Sequence, residues 1–352
     1  MHFDLEYYDE SQRAEWERFI RRAAQGTFFH FQRFLDYHPP GRFRQRHLVF
    51  RRKGHIVAVW PGALREEDGV PSWTSHPGAS YGGLIVRPGL GLLEVHHLVA
   101  DLVESAKSLG VDRLRLTPPP WIYHRHPTEA VEFALLRAGF RYLKQDYTQA
   151  VDLAALPKDE EEVLLRYDPK TRTAIRKARR DGLEVRHDVP VAGETLAEFY
   201  GILQRNRARL GVTPTHTEAE LARLAELAPK YLDLTLAALH GRPIAGILNF
   251  VCNEQVMLEF YIAHNHEDQA HRPVPLLVHE TVLRAQRRGF RWLDFGISTE
   301  AGDRVTWGLA AFKENFAVQG FLRNTYVLDD VQGWKPGDFF LPEVRRVRTD
   351  MR

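Results

Sequence analysis

Apolar residues recur every three or four positions in two long stretches, and each stretch runs into a glycine and then a short apolar segment. In the first, positions 92, 95, 99, 102, 106 and 109 are apolar, Gly110 follows, and residues 113–117 alternate as a strand does. In the second, PLLVHETVLRAQRRGFRWLDF (275–295) has the same order of helix, glycine, charged residue and buried strand. The correspondence extends to both sides. GHIVAVWPGAL (54–64) matches GRPIAGILNFV (241–251), and EFALLRAGFRYLKQDY (132–147) matches AAFKENFAVQGFLRNTY (310–326). The pattern therefore predicts one αβ unit used twice. The halves divide at an interruption by a proline and an acidic run, giving domains 1–153 and 154–352.

Between the matching segments the pattern predicts further elements. Trp16, Phe19, Ile20 and Ala23 share a helical face after an N-terminal edge strand. The Lys53-Gly54 pair splits strands 47–52 and 55–64 as a hairpin turn. In the second half, Asp168 and Pro169 start a helix over 169–181, with aspartate as cap and proline in the first turn. A strand over 183–187 and helices over 196–210 and 218–228 follow, and a C-terminal tail closes the chain.

Composition narrows the class. At 352 residues the chain exceeds one ordinary core. A net charge of +2 supplies no global field, so an anionic partner must meet a local patch. Cys252 is the only cysteine, which excludes an intrachain disulfide and a thiolate metal centre. No apolar run reaches the ~20 residues of a membrane span, and no secretory signal is visible, so a cytoplasmic protein without a transmembrane segment is expected.

Four segments carry candidate chemistry. The helix over 169–181 holds Lys170, Arg172, Arg176, Lys177, Arg179 and Arg180, with Arg172 and Arg176 on one stripe. Such a stripe binds phosphates or pairs with Glu160–Glu162. Ser80, Tyr81, Gly82 and Gly83 precede an apolar strand, where glycine permits close approach of a ligand and frees main-chain amides. Residues 87–91, RPGLG, open a helix and form a weak anion site. In the fourth segment, Phe312 and Phe316 mark an inward face of a short helix, and Lys313 lies one position off it. Spacing alone reads Lys313 as a solvated lysine. The repeat sets it opposite Arg137, so both halves carry a cation there.

Other patterns are lookalikes. His96, His97 and Asp101 spell HHxxxD inside an ordinary amphipathic helix, and Asp294-Phe295-Gly296 spells DFG without a kinase's remaining motifs. The cluster His264, His266, Glu267, Asp268 and His271 reads as a polar loop, so no metal is expected.

The duplicated unit, TRTAIRKARRDGLEV, GRPIAGILNF, and DFG followed by GLAAFKENF resemble the FemABX group of double GNAT-fold transferases, over roughly residues 10–327. The resemblance implies an α/β (α+β) fold of two tandem GNAT-like domains, each a mixed, mostly antiparallel sheet flanked by helices. It implies an acyltransferase or aminoacyltransferase forming an amide bond in the cleft between the halves. Phe312-Lys313 matches the family's Phe-Lys pair, whose lysine is associated with the donor and with developing charge. Tyr261 matches a cleft-facing aromatic, so Lys313 and Tyr261 are the catalytic candidates. Phe312, Ser80, Tyr81, Gly82, Gly83, Arg172, Arg176 and Asp294 are the substrate-binding candidates. Leu84-Ile85-Val86 stands where bridge-forming relatives place an acid after the glycines.

No resident cofactor is implied. The donor is an aminoacyl-tRNA or an acyl thioester on coenzyme A or a carrier protein, and the acceptor is a small-molecule amine, a cell-wall precursor among them. An N-acyltransferase of a sugar, lipid or amino acid is the second reading, and a binding module that kept the fold without turnover is the third. The oligomeric state is not readable from the sequence.

Overall fold

The computed structural model describes residues 3–300 and 304–336, so the expected C-terminal tail lies outside the described residues. In chain order the elements are β1 (Asp4–Tyr7), α1 (Arg13–Arg22), α2 (Gln32–Leu35), β2 (Arg44–Gln45), β3 (Leu48–Arg52), β4 (His55–Trp60), β5 (Gly62–Glu67), β6 (Val70–Ser75), β7 (Ile85–Val86), α3 (Leu92–Ser108), β8 (Arg113–Leu116), α4 (Ala130–Arg137) and β9 (Arg141–Asp152). They continue as α5 (Glu160–Leu165), α6 (Pro169–Arg180), β10 (Leu183–Val189), α7 (Gly193–Arg209), α8 (Glu218–Leu227), β11 (Leu232–Leu239), β12 (Arg242–Val251), β13 (Val256–His264), α9 (Pro273–Arg287), β14 (Trp292–Ile297), α10 (Trp307–Glu314) and β15 (Gln319–Leu328).

These elements form two compact units, each discontinuous in sequence. The first takes residues up to 25, 41–144 and 324 onward, and the second takes 26–40 and 145–323. In the first unit, β1, β3, β4 and β7 pair antiparallel, while β2, β5, β6, β8 and the end of β15 pair as a mixed set, parallel between β6 and β8. The expected continuous strand 55–64 is thus divided between two sheets. Pro61 is the cause, because it has no N–H for a ladder and ends β4. Gly62 then lets the chain pass the indoles of Trp60 and Trp73, whose Nε1 atoms would lie 2.2 and 2.3 Å from a Cβ. The strand β6 has no counterpart among the elements expected from the pattern. Its signal was the Asp68-Gly69 turn, with φ of 53° and 76°, the pairing that suits a tight hairpin.

The second unit is one mixed sheet in the order β10-β11-β12-β13-β14-β9, antiparallel except between β13 and β14. Helices α6 and α9 cover one face, and their apolar residues Ile175, Ala178, Leu277, Val278 and Val282 pack on Ala237, Ile247 and Met257 of the sheet. The duplicated pattern is visible inside each unit. In the first, β6, α3 and β8 form a parallel strand–helix–strand passage, and in the second β13, α9 and β14 do the same. Gly110 and Gly289, with φ of 69° and 84°, end the two helices in the left-handed conformation that glycine tolerates.

Candidate active site

Strands β13 and β14 are held in parallel for three pairs, the last being Leu258 with Asp294, and then diverge as a fork. Both strands carry an extra residue at the divergence. On β13, Leu248 faces Tyr261 and Asn249 faces Glu259, so Phe260 is a bulge; on β14, Asp294 faces Ala150 and Ile297 faces Thr148, so Phe295-Gly296 form a second. A bulge bends its strand and raises its twist, and two at one level drive neighbours apart. Asp294 fixes the β14 bend. Its buried Oδ1 accepts from Thr148 Oγ1 at 2.5 Å and from the Gly296 amide at 2.8 Å, with Gly296 at φ 72°. This substrate-binding candidate is therefore engaged in shaping the fork.

Lys313 comes from α10 and is only 4% exposed, so the surface reading from spacing is corrected. The helix docks through the Gln149 side-chain amide, which donates to Ala310 O at 3.2 Å. The ammonium donates to Gly296 O at 2.6 Å and Ile297 O at 2.9 Å, just past the fork on β14. Burial pushes its pKa down to about 8, opposed by the charges of Asp294 and Glu259. Arg137, its counterpart in the repeat, is exposed at the end of α4.

Beyond the fork lies a cavity of about 930 Å³. Ile262, Leu309, Phe312 and Val274 give it apolar walls, and Lys170, Lys177, Arg207 and Arg272 give it positive charge, with no aspartate or glutamate in the lining. Lys177 is neutralised by Asp181. Lys170, Arg207 and Arg272 form no ion pair among the described residues, and burial lowers the pKa of Arg207. The basic helix thus turns one stripe, Lys170, Thr173, Ala174 and Lys177, to the cavity. The stripe singled out from the sequence faces elsewhere. Arg172 donates to Leu165 O at 3.4 Å, Arg176 pairs with Glu161 at 3.1 Å, and Arg179 pairs with Glu160 at 2.5 Å and Glu280 at 2.8 Å.

Helix α9 opens on the cavity with an unusual terminus. Arg272 is its N-cap at φ 57°, and its amide donates to Gln269 O at 3.0 Å. Pro273 and Pro275 supply no N–H, so Val274 alone presents a main-chain donor in the first turn. A glycine-rich pyrophosphate cradle built from main-chain amides has no material here.

Tyr261 belongs to a different group. Its hydroxyl accepts from the His216 amide at 3.0 Å and meets His216 Nδ1 at 2.8 Å, while Tyr37 holds His216 Nε2 at 2.9 Å. The Arg207 guanidinium lies 5.9 Å over its ring, and burial raises its pKa. The bulge at Phe260 inverts the strand's alternation, so Tyr261 joins His216 while Glu259 and Ile262 serve the α9 face. Tyr261 therefore touches the cavity through Arg207.

In the first unit, the Ser80–Gly83 turn is packed against its own strands. Gly82 N donates to Thr117 O at 2.8 Å and Gly83 N donates to Ser75 Oγ at 2.7 Å. A Cβ on Gly82 would stand 2.3 Å from Ser75 O, so the glycine serves close approach of backbone to backbone. The amides expected to be free are used, and buried Tyr81 donates to Tyr123 at 3.2 Å. The RPGLG anion site is likewise occupied by the chain itself, because Glu94 Oε2 accepts from Gly91 N at 2.7 Å. In the polar histidine loop, Asp268 pairs with Arg242 at 2.8 Å and His271 with Asp181 at 2.8 Å. Among the described residues no three metal-binding side chains converge.

Sequence reasoning missed Arg207 and Arg272, whose lining role depends on distant packing, and Asn249 and Glu259, which face each other across β12 and β13. Polar residues inside strands of otherwise apolar character were the available signal for the latter two.

Known proteins match this arrangement. Residues 169–314 match the acetyltransferase (GNAT) domain family. The crystal structure of FemX is similar with a TM-score of 0.70 over 94% of this chain and 98% of that chain, at 13% identity. L-PGS from Bacillus licheniformis is similar at 0.59 over 92% of each chain and 11% identity. A tandem GNAT protein from the clavulanic acid biosynthesis pathway is similar at 0.53 over 93% and 98%, at 15% identity. No curated protein matches the sequence. The chain thus has a FemABX-like, tandem GNAT fold, as its motifs led one to expect.

Proposed function

We propose that this protein is an acyltransferase that moves an activated acyl group from a phosphate-bearing donor to an amine, and that the donor is an aminoacyl-tRNA. The observation that carries the reading is the cavity at the fork. Its apolar walls suit an acyl or aminoacyl portion, and Lys170, Arg207 and Arg272 suit phosphate oxygens that no carboxylate in the lining repels. The two prolines at the start of α9 favour side-chain recognition of phosphodiesters over a main-chain cradle for a coenzyme A pyrophosphate. The sequence motifs that resemble the FemABX group support this choice. In this reading Lys313, with one N–H beyond its two carbonyl bonds, stabilises the oxyanion of the tetrahedral intermediate. The acceptor is a small amine, cell-wall precursors and amino sugars being the first candidates.

An acyl-CoA- or carrier-dependent N-acyltransferase is the second reading, favoured by the GNAT domain match and by a cavity with room for a pantetheine arm. One incorporation assay separates them. Labelled alanyl-tRNA or acetyl-CoA is supplied with a panel of cell-wall precursors and amino sugars. Transfer from alanyl-tRNA alone is expected; transfer from acetyl-CoA alone selects the second reading, and transfer from neither rejects both.

A further inference from the structure

We infer that the first unit carries an anion site of its own, a pocket at the β3–β4 turn that takes a small organic phosphate or diphosphate through Arg52, Lys53 and Arg87. The pocket encloses about 430 Å³ and is lined by Arg52, Lys53, His55, Val57 and Arg87, with no aspartate or glutamate in the lining. Strand register brings these residues together. Lys53 and Gly54 form the tight turn, with φ of 51° and 78°, so Arg52 stands directly opposite His55. Val57 is two residues along β4 and therefore on the same face as His55. On its other side β4 pairs with β7, Ala58 facing Val86, so Arg87 comes beside Val57 and its amide donates to Val57 O at 2.8 Å. Two guanidiniums, an ammonium and an imidazole thus gather around a buried valine.

The neighbouring carboxylates are already committed. Glu94 of α3 accepts from Gly91 N at 2.7 Å and pairs with Arg52, and its charge also reaches Arg87. Glu15 of α1 pairs with Arg51 at 2.7 Å and acts on His55 from there. Lys53 and Arg87 form no ion pair among the described residues. Three cations therefore face the single carboxylate of Glu94, and the site keeps an excess of positive charge. Glu94 closes the main-chain site expected at residues 87–91, but it leaves the Arg87 side chain available beside it.

Charge, geometry and size set the ligand class. Guanidinium forks hold phosphate oxygens in pairs, and the excess of positive charge matches a phosphate dianion. The volume is far larger than a halide needs and falls within the range of small-molecule pockets, roughly 300–1,000 Å³. Val57 offers an apolar floor to a carbon portion of the ligand. Occupancy ties the β3–β4 turn, the end of β7 and, through Glu94, the start of α3 to one molecule, and a ligand held only by the folded state stabilises it. The site belongs to a different unit from the fork and does not depend on the transferase reading.

The test uses the full chain labelled with ¹³C at the histidine Cε1 positions, with inorganic pyrophosphate as the probe at constant pH and about 0.15 M sodium chloride. His55 reports from inside the pocket, and its resonance is assigned by its loss in His55→Gln. The resonance is expected to shift saturably, with half-saturation at or below about 1 mM. Arg87→Gln should raise that concentration about tenfold, and Lys53→Gln by a smaller factor, since each removes one charged donor. Both replacements fall at exposed positions, so melting temperatures without pyrophosphate should match wild type, and pyrophosphate should raise the wild-type value more than theirs. A His55 resonance unmoved by pyrophosphate, a shift reproduced by sodium chloride of equal ionic strength, or equal half-saturation in wild type and both variants would overturn the inference. Half-saturation in wild type above about 10 mM would mean an adventitious ion only and would overturn it as well.

Discussion

The same strand–helix–strand passage ends in opposite ways in the two units. In the first, β6 and β8 stay paired over four residue pairs, and the Tyr81–Gly83 turn then seals the end through Thr117 O and Ser75 Oγ. In the second, pairing stops after three pairs, two bulges separate the strands, and a cavity of about 930 Å³ follows. The helix termini differ to match. Helix α3 is capped by its own Glu94, whereas α9 begins with Arg272 and no acid. A duplicated element has thus become a plugged support in one copy and an open fork in the other. A handful of residues decides which: glycines that let backbones touch, or extra strand residues that keep them apart.

The sharpest break of that contrast is at the matching cations. Lys313→Ala should lower kcat by about 10²- to 10³-fold, while Arg137→Ala should leave turnover within twofold, both read in the incorporation assay. Lys313 also predicts a pH signature of stability. Its pKa falls from 10.5 to about 8 on folding, so the unfolded chain binds the extra proton between those values and stability rises with pH across them. Denaturation from pH 7.5 to 10.5 should show that rise in wild type and lose it in Lys313→Met. Breaking the plug is next in size. Gly82→Ala should cost about 1–3 kcal/mol in urea unfolding, because its Cβ meets main-chain atoms that have no room to move. Arg207→Ala should raise the donor KM about tenfold and flatten its salt dependence, with kcat changed less. Smallest of all, Arg176→Ala on the other stripe of α6 should change neither binding nor stability by more than about 0.5 kcal/mol, its partner Glu161 being solvated.

The fold was legible because duplication writes itself in periodicity: the helix–glycine–strand order in both halves needs only local pattern. The repeat and the Phe-Lys pair singled out Lys313 as a candidate, although its burial was not legible, since a single position off an apolar face says nothing about what lies beyond. The roles of Gly82 and Gly83 were hidden because the atoms they touch are six residues away or more. The cavity-facing side of α6 was hidden for a related reason. Six basic residues surround that helix, and the acids presented by α5, by α9 and by Asp181 at its own end determine which of them are neutralised. The bulge at Phe260 left no trace in composition, yet it decides that Glu259 and Tyr261 serve different faces.

The composition of the units has a consequence for how this chain can be dissected or rebuilt. Strand β14 completes its sheet with residues 148–152, which follow α4, and β8 is covered by residues 326–328, which follow α10. Each half of the sequence therefore takes the strand that closes its sheet from the other half. A fragment cut after β9 would expose the edge of β8, and one beginning at α5 would expose the edge of β14; bare edges of this kind recruit other chains. Expression of either half alone should yield aggregates, whereas co-expression of overlapping halves offers each edge its missing partner. Neither half of the sequence is then self-sufficient, because the strand that closes its sheet is encoded in the other half.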